Sequence, residues 1–317
     1  MCSLQTMTNN TNTQPTRRAF VNEASTQPQL SQTILIVFSI LHFIKRLNNY
    51  TDLGEYFVTC QLLFKFKKQL NLNYNLSDYY SILYYKNEIF RASVLERIAN
   101  PQKQLYLNLV MYNVSVTDFS FLGNVHYLNL SASKIMNMCN HRIDLSALEN
   151  VYSLNLSSCL FYDIIKINKI HTLHLADCFI TNVSMLKDVC VLNLRNCYAI
   201  RDVSALRNVR YLCLRACRIT DVSALENVDT LDLSFCDYIT DVSPLRRVRV
   251  LDLSFCKKIT HVGALDNVSV LNITCSNISS NAICKILKNI PTVVMCKDYG
   301  CPKYKEFRET YLGMFAS

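Results

Sequence analysis

Six cysteines of this chain stand at one recurring position: Cys159, Cys178, Cys197, Cys217, Cys236 and Cys256. Thiols can pair as disulfides, ligate a soft metal or act as nucleophiles. The chain holds 15 cysteines in 317 residues, so each chemistry has material to work with. Recurrence argues against catalysis, because a reacting group is singular and these thiols return every 19 or 20 residues, with Ser133 and Ser276 in the same place at either end. Two other groupings suggest metal. His171-x2-His174-x3-Cys178 puts three ligating side chains within one short stretch. Cys296-x4-Cys301, with Cys284 upstream, offers a metal cluster or a disulfide, although the spacing is not that of a usual zinc knuckle. The familiar catalytic constellations are missing: there is no Gly-rich phosphate loop, nucleophile elbow or His-Glu-x-x-His. Five glycines leave little for a catalytic loop. The chain therefore reads as no enzyme, with no cofactor and no metal expected.

The element that carries the cysteines is a short phrase copied nine times. Clear copies are Val209-Arg-Tyr-Leu212-Cys-Leu214-Arg-Ala-Cys217, Val228-Asp-Thr-Leu231-Asp-Leu233-Ser-Phe-Cys236 and Val248-Arg-Val-Leu251-Asp-Leu253-Ser-Phe-Cys256. The first Leu falls at 107, 128, 154, 173, 192, 212, 231, 251 and 271. Leu-x-Leu is the two-residue period of a strand buried on one face. After each strand come Ile, Val and Leu at steps of three, as in Ile219-Thr-Asp-Val222-Ser-Ala-Leu225. That step suits tight 3-10 turns, and a coil of about twenty residues has no room for an ordinary helix on its return path. Units of this kind cannot fold singly and must stack. The expected fold is an α/β repeat: a solenoid with a parallel β-ladder, a short 3-10 or turn side, and a helical cap at its N-terminal end. At ~4.8 Å per coil, nine coils span roughly 40 Å.

This pattern resembles the leucine-rich repeat family over about residues 103–295. The Ile-Thr-Asp-Val-Ser-Ala-Leu phrase looks like the internalin-type repeat, shorter here by one triplet. Leu-Asp-Leu-Ser-Phe-Cys-x-x-Ile-Thr-Asp also looks like the cysteine-containing repeat of F-box adaptors. The resemblance implies that the cysteine position turns inward after the strand and meets backbone groups of the bend. The six thiols are then buried and reduced, and an intracellular location follows, cytoplasmic or nuclear. His174, between two core leucines, faces outward while Cys178 faces inward, so the two diverge and hold no common metal.

Outside the repeats, residues 1–32 are polar and rich in Thr, Asn and Gln, and read as a disordered tail. Residues 33–102 read as a helical cap or subdomain, with Tyr79, Leu83, Phe90, Val94 and Leu95 at helical spacing. Its apolar run Ile34–Ile44 is too short to span a membrane. Residues 34–70 loosely resemble an F-box through Asp52-Leu53, Val58-Thr-Cys60 and Leu63-Phe64, without the opening Leu-Pro. An F-box would imply a Skp-type adaptor as partner and a substrate receptor of a cullin-based ubiquitin ligase. The repeats occupy 103–277. Residues 278–317 read as a C-terminal cap and tail, with a helix from Ile278 to Lys288, a last strand at 292–295, and a charged, aromatic end of no assigned role.

In such a solenoid the working surface is the outward, concave face of the ladder, and the expected partner is a protein. Its central row includes Asn193, Cys213, Asp232 and Asp252, and the next row Arg195 and Arg215. Phe235 and Phe255 stand beside the acidic pair, either stacked in the open as an interface hot spot or tucked under a neighbouring turn. Asp232 and Asp252 lie one coil apart, solvated, in an arrangement that suits a basic partner group. The net charge of +9 includes Arg246, Arg247 and Arg249 in one turn. No nucleic-acid motif accompanies them, so they read as a solvated convex edge.

Overall fold

A computed structural model describes residues 74–98, 104–109, 115–135, 138–139, 142–148, 150–167, 169–265, 267–296 and 301–315. They belong to one compact unit, Asn71–Ser317. The F-box-like stretch 34–70, the apolar run Ile34–Ile44 and the polar tail 1–32 lie outside the described residues.

The ladder is a single parallel sheet of 11 short strands, taken up in chain order from Tyr74–Asn75 to Thr292–Val294. The register follows the leucines. Leu107, Leu128, Leu154, Leu173, Leu192, Leu212, Leu231, Leu251 and Leu271 are successive partners. Val293 continues the row. These leucines point into one continuous core, because a slip of one residue would turn every one of them outward. Tyr74 pairs with Leu105 at the other end, so the ladder extends one strand beyond the nine phrases on each side.

The return path is built from 3-10 turns at Ser184–Leu186, Ser204–Leu206, Ser223–Leu225 and Ser243–Arg247. The Asp two residues before each Ser explains why Thr-Asp-Val-Ser recurs. Its Oδ1 accepts the Ser backbone N–H at 2.8 Å in Asp202, Asp221 and Asp241, and Asn182 does the same at 2.9 Å. Such Asx turns set the bend before the first helical residue. In the next coil His261 and Gly263 replace Asp and Ser, and the chain makes a plain turn there. The longer coil between Leu128 and Leu154 holds its extra residues in a small antiparallel pair, Met138–Cys139 with Arg142–Leu145.

Each ladder cysteine is buried and donates its S–H to a carbonyl of the preceding coil. Cys159 reaches Leu130 O at 3.2 Å, Cys197 Leu175 O at 3.1 Å, Cys217 Leu194 O at 3.1 Å and Cys256 Leu233 O at 3.1 Å. Cys178 and Cys236 follow suit, and Ser133 Oγ donates to Leu109 O at 2.7 Å. At the far end Ser276 breaks the series and bonds Ile273 O of its own coil at 2.7 Å. Burial pushes the Cys159 thiol up to about 11 and that of Cys217 to about 12.

The residue just before this position is left-handed in each coil from Leu128 to Leu271: Ala132, Ser158, Asp177, Asn196, Ala216, Phe235, Phe255 and Cys275 have φ between 52° and 63°. Asn and Asp enter that region readily, whereas a bulky side chain rarely does. Phe235 and Phe255 are held there by N–H bonds to Ser254 O (3.0 Å) and Thr274 O (2.8 Å).

Two helices, Asp78–Lys86 and Glu88–Ile98, precede the repeats. Tyr84 and Val94 enter the core, but Tyr79, assigned to the apolar face from spacing, is exposed; Ser81 holds the buried side and donates to Leu76 O. After the last repeat, the helix Ser280–Asn289 starts at Ser279, whose side chain accepts from Ala282 N–H. Ile286 and Ile290 of this segment enter the core.

Candidate functional site

The charged, aromatic end of the chain folds back over the outward face of the ladder. It forms a helix, Pro302–Leu312, with Pro in its first turn where no backbone donor is needed, followed by a 3-10 turn, Gly313–Phe315. Tyr304, Phe307, Arg308, Tyr311 and Leu312 recur at three and four residues and form one stripe. Lys303, Lys305, Glu306 and Glu309 occupy the exposed side. Phe307, Leu312 and Phe315 are buried against Val191, Cys213, Val250 and Val270 of the ladder. Along this row Val191, Val250 and Val270 are interspersed with Tyr211 and Thr230, and Ser153 and Thr172 hold the position in the two coils before them.

Polar contacts fix the helix in register. Arg308 Nη1 lies 2.7 Å from Asp232 Oδ2 and 3.5 Å from Asp252 Oδ2. Both aspartates are fully buried, and the Arg308 side chain is 24% exposed. Asp232 Oδ1 accepts from the Ser234 backbone N–H (2.9 Å) and hydroxyl (2.6 Å). Asp252 Oδ1 accepts from Ser254 N–H (2.9 Å) and Asn272 Nδ2 (3.1 Å). Arg215 Nη1 donates to Tyr304 OH (3.3 Å) and Ser234 Oγ (3.2 Å), and its guanidinium lies 4.4 Å from the centre of the Phe235 ring. Asn193 Nδ2 donates to Phe315 O at 2.9 Å. Phe235 stacks on Phe255 at 4.4 Å, and Tyr304 meets Phe255 edge-on at 6.0 Å.

One guanidinium does not neutralise two buried carboxylates. Burial, and then the neighbouring Asp232 charge, push Asp252 up to about 7. Burial works against the Arg308 charge as well, but the two carboxylates outweigh it and hold its pKa above the ordinary arginine value. Burial is also the main cause of the raised Tyr304 pKa.

The structure brings together seven of the eight residues assigned to the outward face: Asn193, Cys213, Arg215, Asp232, Phe235, Asp252 and Phe255. Arg195 stays exposed at the margin, its backbone N–H bonded to Asn193 Oδ1 (3.0 Å). The expectation of a solvated acidic pair is corrected: the basic group facing Asp232 and Asp252 is the chain's own Arg308, and Asn193, Cys213, Asp232 and Asp252 are all buried. Phe235 and Phe255 are stacked, half-buried and next to the helix, which joins features of both readings of them. Sequence reasoning missed Tyr304, Phe307, Arg308, Leu312 and Phe315, although the stripe was there to be read in the spacing of the tail.

His171, His174 and Cys178 are not brought together, whereas the free thiols of Cys296 and Cys301 share a hydrogen bond and Cys284 stands exposed. His171 stacks on Tyr152 at 4.5 Å, His174 is buried on the ladder, and Cys178 bonds Leu156 O. Among the described residues no three His, Cys, Asp or Glu side chains are placed to hold a metal ion. Arg246 and Arg247 are exposed on a 3-10 turn, away from the ladder strands. No described helix is long and apolar enough to cross a membrane.

One Leu-x-Leu strand per coil, a parallel ladder in chain order and 3-10 turns on the return path define a leucine-rich repeat solenoid. No family model and no curated protein matches the chain. Among solved structures, internalin C2 from Listeria monocytogenes is 20% identical, with a TM-score of 0.38 over 56% of this chain and 83% of that one. An internalin F from the same species is 17% identical, with a TM-score of 0.38 over 65% and 79%. The functional domain of InlJ from Listeria monocytogenes, described as including a cysteine ladder, is 18% identical, with a TM-score of 0.36 over 61% and 47%.

Proposed function

We propose that this chain is a non-enzymatic protein-interaction scaffold. It binds a protein partner through the concave face of its solenoid, at Asn193, Arg195, Cys213, Arg215, Asp232, Phe235, Asp252 and Phe255. The observation that carries this reading is the seat itself. Apolar side chains, a buried acidic pair and two stacked phenylalanines meet on a few coils, and a helix of the chain already lies in it. Aromatic residues and desolvated charges near the centre of a patch are the usual carriers of binding energy. Strain points the same way: Phe235 and Phe255 stand at left-handed positions where other coils place Ser158, Asp177 or Asn196.

The test is photo-crosslinking in cells, with the reactive residue placed at Arg195 on the margin of the face and at Arg246 on the turn side as control. Proteins captured at 195 and absent at 246 support the reading. Capture at 246 alone places the partner on the basic edge and refutes it. A substrate-receptor role with a Skp-type adaptor on residues 34–70 is an alternative resting on the sequence pattern alone. Adaptor recovery that persists after Leu53→Ala and Leu63→Ala would dismiss it.

A further inference from the structure

The geometry points to residues 302–315 as an intramolecular ligand, and so to the partner's chemistry: a helical segment of another protein with one arginine set among aromatic and aliphatic residues on the same stripe. This inference rests on the proposed concave-face reading and deepens it.

Three observations carry it. First, the solenoid does not need this helix as an end cap. The helix Ser280–Asn289 and the strand Thr292–Val294 already close the last coil, with Ile286 and Ile290 in the core. The 302–315 segment lies across the strands instead, touching coils from Asn193 to Val294. Second, it binds as a ligand would, on one side only: its stripe is buried while Lys303, Lys305, Glu306 and Glu309 face solvent. Third, the seat selects its occupant. Asp232 and Asp252 are each held through Oδ1 by Ser234, Ser254 and Asn272, and Oδ2 of both faces Arg308, with the Cys213 thiol also donating to Asp232 Oδ2 at 3.6 Å. Arginine suits two acceptors a coil apart better than lysine does, because its donors are spread over a planar fork. Arg215 and the Phe235–Phe255 stack then require a hydroxyl-bearing aromatic four residues before that arginine, and Val191, Val250 and Val270 require apolar groups on both sides of it, as Phe307, Leu312 and Phe315 supply. A partner carrying this stripe would compete with residues 302–315 for one seat, so the resting chain is closed.

The experiment uses full-length protein and a fluorescent peptide of residues 302–315. The docked segment is released by Phe307→Ala with Phe315→Ala, and hydrogen exchange checks that coils 154–271 stay protected. The released variant should bind the peptide at least about tenfold more tightly than the wild-type chain, whose seat is filled. The peptide carrying R308E should bind at least about tenfold more weakly, and so should the unmodified peptide on a released variant carrying Asp232→Asn and Asp252→Asn. If the released variant loses its coils, the wild-type chain decides: excess peptide should raise exchange in its own 304–315 segment. No rise, or equal binding of the R308E peptide, overturns the inference. So do wild-type dimers in which the segments exchange between copies, which would make the occupant a second copy. Peptide binding without specific crosslinks at 195 would leave the seat's chemistry standing and remove the proposed partner. Crosslinks at 195 without peptide binding would do the reverse.

Discussion

Arg308 reaches Asp232 at 2.7 Å, with both groups drawn from segments 76 residues apart in the chain. A charge-assisted bond between largely buried groups is among the stronger polar contacts a protein makes. Its removal also leaves the acidic pair without its cation. Arg308→Ala should therefore undock the last helix, by about 2 kcal/mol. The solenoid should survive, because its coils are closed independently. Hydrogen exchange checks this: amides of 304–315 should lose protection while those near Leu212 and Leu251 keep theirs. Uniform loss across the described residues would contradict it.

The buried acidic pair makes the stability of the folded chain pH-dependent. Asp252 is raised from 3.8 to about 7 by burial and by Asp232 beside it, while Ser254 and Arg308 work in the opposite direction. A group whose folded pKa lies above its unfolded value holds more protons when folded between the two values. Stability then falls as pH rises through that window, being fully present below 3.8 and lost above about 7. The chemical unfolding midpoint of the whole chain should accordingly be higher at pH 5 than at pH 8. Asp252→Asn should flatten the difference, and an unchanged pH profile in that variant would show that another group is responsible. Tyr304, Cys213 and Arg215 also face the site, but the first two are raised further from neutral pH and Arg215 stays charged throughout.

The ladder thiols should be chemically quiet. Burial raises them well above the ordinary cysteine range, which suppresses the reactive thiolate. Among the described cysteines, exposed Cys284 should be alkylated first in native protein, with Cys159, Cys178, Cys197, Cys217, Cys236 and Cys256 reacting only after unfolding. Mass mapping that finds ladder cysteines labelled early, or joined as disulfides, would refute the inward arrangement. Cys217→Ser keeps a donor for Leu194 O, so it should be far milder than Cys217→Asp, which buries an uncompensated charge at a cost of about 3–5 kcal/mol.

Leu231→Ala removes a fully buried side chain and should cost ~2–5 kcal/mol. In a one-dimensional stack the damage spreads to nearest neighbours. Exchange should quicken first in the partner strands at Leu212 and Leu251, before the helices Asp78–Lys86 and Glu88–Ile98 respond. A cooperative loss of all three regions at once would mean that the coils do not melt locally.

The leucine row was legible because alternation in a strand permits only one register with the leucines inside. The thiol row was legible for a similar reason, since six copies of one residue imply one environment. The return turns could be inferred from the step of three, and the Asp–Ser bond explains the rest of the phrase. The outward row was located correctly, yet its solvation was not. Asp232 and Asp252 look like surface carboxylates until Arg308 is placed, and that placement depends on a stripe about fifty residues further on. Tyr304, Phe307, Arg308, Tyr311 and Leu312 carry that stripe among four charged residues, which hid it within an apparently polar tail. The left-handed backbone at Phe235 and Phe255 had no signature at all, because φ there is set by the bend that every coil shares and not by the residue.

The Cys-to-carbonyl bonds repeat identically from coil to coil, so nothing in that series counts how many coils there are. Removing one whole repeat from the middle would restore every bond. The last helix breaks this indifference: with Arg308 anchored at Asp232 and Asp252 and Phe315 at Asn193, it spans a fixed number of rungs. Removing the coil of Leu212, between Asn193 and Asp232, would bring the anchors together at the wrong spacing, and the helix could engage one end or the other but not both. The segment is thus a gauge for the rungs from Asn193 to Asp252, a stretch in which the count of coils is fixed by a contact that the repeats themselves do not make.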